Sequence, residues 1–313
     1  MKKKLIFLGF LIFIAYILCF PQKAVPAAAN GLVLWYERVL PSLLPFAILS
    51  NILIYSNYLT YLTKYVYPIT RIILPGSENG AFVILSGFLF GFPMGSKNCA
   101  ELLKCGKISQ EEAEILFIIT NNISPVFISS FILCQELKLP SMILLSYLVL
   151  YLPPVLLGGL LLPKLKNQAP SGTEDRTQKT PASKSQMNFK IIDAGIMNGF
   201  ETLTRLGGYI MLFSMFASML ELLPIPDTAK VLLTGITEIT NGIHRLSEFS
   251  LPGRLRYVLA MSFTAFGGLS GIAQTSSMVK GTSLSMKRYL LLKLVLTAVS
   301  TLLAGLIACL CIL

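Results

Sequence analysis

The sequence predicts an all-α polytopic membrane protein of two inverted repeats, each with a re-entrant hairpin and broken transmembrane helices. Three observations predict it. Apolar runs reach membrane-spanning length, glycine- and proline-broken segments recur in one order, and the lysine and arginine distribution constrains the number of crossings.

Of 313 residues, 54% are hydrophobic and 13% charged, about half the roughly 25% charged residues of an average soluble domain. Mean hydropathy is +0.70. The runs 141–162, 206–223 and 289–313 are continuously apolar rather than striped, as lipid requires and a soluble bundle does not. The net charge of +11 sits between these runs without aromatic platforms or zinc spacing, so it marks topology and not a nucleic-acid partner. The six cysteines lack the spacing of a zinc site or a secreted disulfide scaffold, and most read as packing residues. No Walker A loop, His-Glu-x-x-His or Gly-x-Ser-x-Gly occurs and there is a single histidine. An enzyme, a metal or another cofactor is therefore not expected.

Residues 1–26 form an N-terminal transmembrane anchor or signal. Lys2-Lys3-Lys4 precedes an apolar stretch from Leu5 to Phe20, and Ala27-Ala28-Ala29 follows, so a cleaved signal peptide competes with an uncleaved first helix. The first repeat spans 27–162. An amphipathic stretch, 27–40, leads through Pro41 and Pro45 into a run ending near Tyr55, and 58–74 reads as interfacial. Leu74-Pro75-Gly76 stops it, and the apolar 81–90 is broken at Gly91-Phe92-Pro93-Met94-Gly95. The following Ser96-Lys97-Asn98 to Lys104 is too polar to face lipid. The span 112–135 is interrupted at Thr120-Asn121-Asn122-Ile123-Ser124-Pro125, and 141–162 closes the repeat.

The linker 163–190, rich in Lys, Ser, Thr, Gln and Pro, reads as a flexible cytoplasmic connection. The second repeat, 191–313, replays the order: Asn198-Gly199 echoes Asn30-Gly31, Leu251-Pro252-Gly253 echoes Leu74-Pro75-Gly76, and Phe266-Gly267-Gly268-Leu269-Ser270-Gly271 echoes Phe90 to Gly95. A second hairpin is thus expected around Gly267.

Both the N-terminus and the linker are strongly basic and are expected in the cytoplasm, so an even number of crossings separates them. The spans 5–20, 39–55, 112–135 and 141–162 supply it only if 78–106 dips in and returns. Three full spans then lie between 39–55 and its counterpart 206–223, which makes the repeat inverted.

Helix starts at these breaks would aim free N–H groups into the membrane, a setting for a polar or anionic solute. The candidate binding residues are Gly91, Pro93, Gly95, Ser96, Lys97, Asn98, Asn121, Asn122 and Ser124, with Gly267, Gly268, Ser270, Gly271, Gln274 and Thr275 from the second half. Since only the first set carries charge, binding is expected to lean on the first half. Each has a plainer reading: the glycines pack, Lys97 snorkels or pairs with Glu101, and Asn121-Asn122 mends the broken helix. Glu37 with Arg38 and Glu201 with Arg205 read as interfacial charge pairs, and His244 as incidental.

Gly91-Phe92-Pro93-Met94-Gly95-Ser96-Lys97, the Lys107 to Glu114 helix start and Thr120 to Pro125 resemble the sporulation integral membrane protein YlbJ family, within the wider group that carries nucleoside-transporter and FeoB-type Gate domains. Asn30-Gly31-Leu32, Leu34-Trp35-Tyr36 and Leu40 to Phe46 fit its N-terminal pattern, and Phe266 to Ser270 with Ala273-Gln274 its second segment. The resemblance implies a multi-pass cell-membrane protein of endospore-forming Firmicutes with a fold like concentrative nucleoside transporters. It implies as partners the lipid bilayer and a small polar or anionic solute, nucleoside-like or dipicolinate-like, and leaves a coupling ion and a homo-oligomer open. The alternative is a non-transporting membrane scaffold or partner subunit needed for spore assembly. The second hairpin lacks the proline of the first, a departure from the pattern.

Overall fold

The computed structural model describes residues 2–56, 58–166 and 188–311. Most of the linker, 167–187, lies outside them, as does the side chain of Arg38. Every regular element among the described residues is a helix, as a chain without water to satisfy its backbone requires. Four helices are long and apolar enough to cross a membrane, or up to six if each of two bent pairs is one span. The protein is a multi-pass integral membrane protein.

Helix α1 (Lys2–Cys19) turns sharply, by 103°, into α2 (Pro21–Leu34). One π-helical turn, Trp35–Val39, carries α2 into α3 (Leu40–Tyr55) with right-handed helical dihedrals at each join. After a further bend of 105° the amphipathic α4 (Leu59–Ile73) follows, as expected of an interfacial segment. Helix α5 (Glu78–Phe90) is capped by Ser77, whose Oγ accepts from Gly80 N at 3.0 Å, and ends at Gly91. Helix α6 (Met94–Lys104) returns to the side of origin, where Asn79 Nδ2 donates to Lys107 O at 2.9 Å. This pair is the first re-entrant hairpin.

Helix α7 (Gln110–Ile119), capped by Ser109, is separated from a π-helix, Phe127–Glu136, by the expected break. Helix α8 (Ile143–Lys166) runs back along both. Its Tyr147 hydroxyl donates to Pro125 O, Tyr151 to Ile123 O, and Gly158 lies against Ile119. That ladder makes α7 and the π-helix one broken span.

The second half is α9 (Phe189–Leu220), α10 (Asp227–Thr237), α11 (Ile239–Glu248), α12 (Gly253–Phe266), α13 (Gly268–Met278) and α14 (Met286–Cys311). The 32 residues of α9, roughly 48 Å at 1.5 Å per residue, pack antiparallel to the helix formed by α2 and α3. Gly31 approaches Met211 and Ser214, Trp35 Nε1 donates to Leu203 O at 2.8 Å, Gly199 meets Leu44 and Ile48, and Gly195 meets Ile52. Exchanging the halves in the register of Asn30 with Asn198 turns the Gly31 contact almost into the Gly199 contact. The halves are inverted, as expected.

The second hairpin lies elsewhere than expected. Gly253–Met278 is a single membrane-length unit, with Gly267 N still bonded to Phe263 O at 2.8 Å, so Gly267 breaks a span and does not turn a hairpin. The returning pair is α10 and α11, joined at Glu238. A Cβ on Gly242 would lie 2.2 Å from Gly235 Cα, so the arms touch, and Arg245 of α11 reaches Asp227 of α10 at 3.7 Å near the base. The structural counterpart of Gly91 is therefore Glu238, and that of Gly267 is the break at 120–125. The polar sequence of α10 and α11 conceals the hairpin, because its arms are packed on protein and need no uniformly apolar surface.

The hairpins enter from opposite ends. The base of the first adjoins the α13–α14 loop, where Gln110 Nε2 donates to Ser283 O and Arg288 pairs with Glu114. The base of the second adjoins Glu136, which meets His244 Nδ1 at 3.1 Å and accepts from Ser247 at 2.8 Å. Leu144, Leu160, Leu302, Leu306 and Leu310 point outward from α8 and α14 toward lipid.

Candidate functional site: the junction of hairpins and broken spans

The first hairpin tip is pressed onto the break in the first span. Gly91 has φ 73°, and a Cβ there would sit 2.5 Å from Ser124 N; at Gly87 and Gly95 it would sit 2.5 and 2.4 Å from Thr120 O. These glycines permit backbone contact that no side chain would fit. Phe92 N donates to Asn122 O at 2.6 Å, across a cis Phe92–Pro93 bond's N-terminal side.

Hydrogen bonds cover the opened backbone, as membrane depth demands. Asn122 Nδ2 returns to Ile119 O at 2.6 Å, Tyr151 and Tyr147 cover Ile123 O and Pro125 O, and Ser124 Oγ receives Phe127 N. Lys293 Nζ, on α14, donates to Asn121 O at 3.0 Å. The helix-mending reading therefore fits Asn122. The Asn121 side chain instead crosses to the second half, where Nδ2 meets Thr275 Oγ1 at 2.8 Å and Tyr289 OH at 2.7 Å. Its Oδ1 is buried without a hydrogen-bond partner.

On the second side, Gly268 packs its backbone against Thr237, Glu238 and Ile239, so the second break receives the second hairpin tip. A Cβ on Gly271 would lie 3.4 Å from the Phe92 ring, so the first hairpin tip also adjoins α13 of the second broken span. Ser270 Oγ accepts from Gln274 Nε2 at 2.9 Å on the buried face of α13.

Lys97 and Asn98 do not reach this junction. Lys97 is 3% exposed and donates to Asn51 Oδ1 at 2.8 Å, while Asn98 lies 3.5 Å from Ser50. Asn51 continues to Asn198 Oδ1, Asn198 to the Tyr55 hydroxyl, and Tyr55 to Glu101. This amide-rich cluster fastens α6 to α3 and α9. Lys97 neither snorkels nor pairs with Glu101, whose ion-pair partner is Lys104. Ser96 bonds back to Pro93 O. The Glu201–Arg205 pair forms on the surface, His244 is engaged by Glu136, and only Cys99 of the six cysteines is buried.

Charge at the junction thus comes from the second half, contrary to the expected lean toward the first. Lys293, 4% exposed, and Glu238, also 4% exposed, were hidden in sequence: one inside an apolar run, the other in the semi-polar stretch before Leu251-Pro252-Gly253. A charged residue inside a membrane-length apolar helix is the signal that singles out Lys293. A void of about 10 Å³ lies between Lys293, Asn122, Thr264 and Ser300, room for about one water. Solute pockets are roughly 300–1,000 Å³, so the junction is closed. A groove of about 900 Å³ opens on the other side of α13, lined by Arg205, Tyr209, Ser276, Ser277, Lys280 and Thr282. Thr275 faces the junction and the next two residues face the groove, which makes α13 the wall between them.

The segment 37–136, from the π-turn through the first hairpin to the end of the π-helix, matches the Gate family, described as nucleoside recognition. The chain is also 27% identical over 316 aligned residues to the sporulation integral membrane protein YlbJ of Bacillus subtilis (strain 168), covering 91% of this chain and 78% of that protein. The resemblance to YlbJ holds. Its coverage takes in both inverted halves, so hairpins and broken spans alike fall within the YlbJ-like region. No solved structure matches the chain.

Proposed function

We propose that the chain is a sporulation-associated secondary permease for a small polar or anionic metabolite, nucleoside-like or dipicolinate-like, that binds at the junction. The supporting observation is one arrangement: two inverted halves, each with a hairpin tip docked on a broken span, meet through Asn121, Thr275, Tyr289 and Lys293. Pseudo-symmetric halves of this kind can exchange conformations around a mid-depth site. Displacement of α13 would join the closed junction to the groove, as access from that end requires. The groove end carries Lys104, Lys107, Lys280, Lys287 and Arg288, with the end of α8 and the start of α9 on the same side, so the lysine and arginine bias favours the cytoplasm for it. The bilayer is the one partner the reading requires besides the solute.

The tight closure of both breaks also suits a scaffold or partner subunit of spore assembly. Reconstituted vesicles separate the two. The permease reading predicts saturable uptake of labelled uridine or dipicolinate, lost in Asn121→Ala and in Lys293→Met. Uptake unchanged in both variants removes the junction as the site; a folded protein that moves neither solute favours the scaffold.

A further inference from the structure

We propose that Glu238 is a proton-binding site at the tip of the second hairpin, and that its protonation loosens that tip from the break at Gly268. The use made of the proton rests on the permease reading; the binding itself does not.

The placement is unusual for a carboxylate. Arm α10 has 11 residues, roughly 16 Å, which carries the tip about halfway through a hydrocarbon core of ~30 Å. Glu238 is buried there, and the groups that hold it are neutral. Oε1 accepts from Thr240 N at 3.1 Å, and Oε2 from Asn241 N and Asn241 Nδ2, each at 2.8 Å. It thus caps α11.

Capping alone is a poor reason for this residue. Serine and asparagine are the better caps, and this chain uses Ser77, Ser109 and Asn188 elsewhere. Those caps avoid the cost of burying a charge, which is several kcal/mol even after relaxation. What a carboxylate adds is titration.

The charged groups of the surrounding elements are engaged away from the tip. On α10 and α11, Lys230 pairs with Asp227, Arg245 with Glu221 and Asp227, and His244 with Glu136 and Glu248. On α9, Glu201 pairs with Arg205, and Lys190 and Asp193 stand in the first turns, at the far end of the helix from Ser214, which Asn241 contacts. On α12, Arg256 bonds Phe249 O and Leu251 O, Tyr257 meets Ser146, and Arg254 stands in the first turn, at the far end of the helix from Gly267. Helix α13 contributes no titratable side chain.

Protonation adds one hydrogen to a carboxylate oxygen, taken from solvent and returned to it on release; no carbon bond or electron is involved. The three bonds to Thr240 and Asn241 lose their charge assistance, and the cap at the tip weakens. The tip backbone rests on Gly268, where α13 begins, and α13 carries Thr275 to Asn121. Proton occupancy therefore acts on the wall between junction and groove.

Infrared difference spectroscopy of the full chain in lipid vesicles, recorded as pH is lowered without solute, tests the site. The expected result is a protonated-carboxyl band that disappears in Glu238→Gln, shifts in Glu238→Asp and persists in Glu112→Gln, the variant of the other buried acid among the described residues. No such band in the unmodified protein, or one indifferent to Glu238→Gln, overturns the proposal; if Glu238→Gln does not fold, an unshifted band in Glu238→Asp does so. Solute uptake on the same vesicles separates the two claims: failed uptake with the band intact counts against the permease alone, and an absent band with uptake intact counts against Glu238 alone.

Discussion

The two hairpins occupy equivalent places and are held by opposite means. The first is fixed by close packing and buried hydrogen bonds: glycines seat its tip on the backbone of 120–124, Lys97 and its amide partners fasten α6 to α3 and α9, and Glu112 receives Ser77 N at the base. The second ends in a carboxylate, and its base is tied by Glu136 to His244 and Ser247 and by Arg245 to Glu221. Backbone contact against backbone has few alternatives, whereas charged contacts respond to protonation and salt. The first hairpin is thus built as a wedge, and under the proton-binding proposal the second is the element that moves.

The sharpest break in this comparison is expected from Gly95→Ala. Its Cβ would meet Thr120 O at 2.4 Å, and overpacking of that kind costs roughly 3 kcal/mol, visible as a large fall in melting temperature in detergent. Gly267→Ala, by contrast, meets nothing within 4 Å and bears only the cost of a positive φ, about 1–2 kcal/mol. Equal losses at the two positions would remove the asymmetry.

Asn121→Ala comes next. It leaves the Thr275 and Tyr289 hydroxyls buried without their partner, a cost of roughly 1–3 kcal/mol, and should abolish uptake before it unfolds the protein. Glu136→Gln should cost about 1 kcal/mol and accelerate amide exchange in α11 but not in α6. Acceleration in both arms would show that the hairpins do not move separately. Arg288→Ala, which removes a half-exposed pair with Glu114, is expected to cost at most about 1 kcal/mol, and less at high salt.

Much of this was legible in the sequence, for physical reasons that differ by element. Helices α8 and α14 are written in apolar residues because lipid is their solvent, and α4 announces its interfacial place by one polar face. The Gly91 hairpin was legible because close backbone contact at its tip demands glycine. Its partner was not, since α10 and α11 are covered by protein on several sides and retain polar residues; Phe266-Gly267-Gly268 drew attention to the wrong break. Asn121 and Thr275 were recognised as polar groups at breaks and do meet. Lys97 was recognised by the same logic yet turns to α3, because residues on successive helical positions face different neighbours and sequence does not say which neighbour is there. Lys293 sits in a run whose apolar average conceals a single charge.

In the second half a hairpin with its tip at Glu238 precedes a span through Gly267. Single cysteines at Ser250 and Gly281, in a background lacking the exposed native cysteines, test it directly with a membrane-impermeant label. Labelling from opposite sides of the membrane is predicted, because α12 and α13 cross between them. Labelling of both from one side would make 251–280 the hairpin and contradict the fold assigned to the second half.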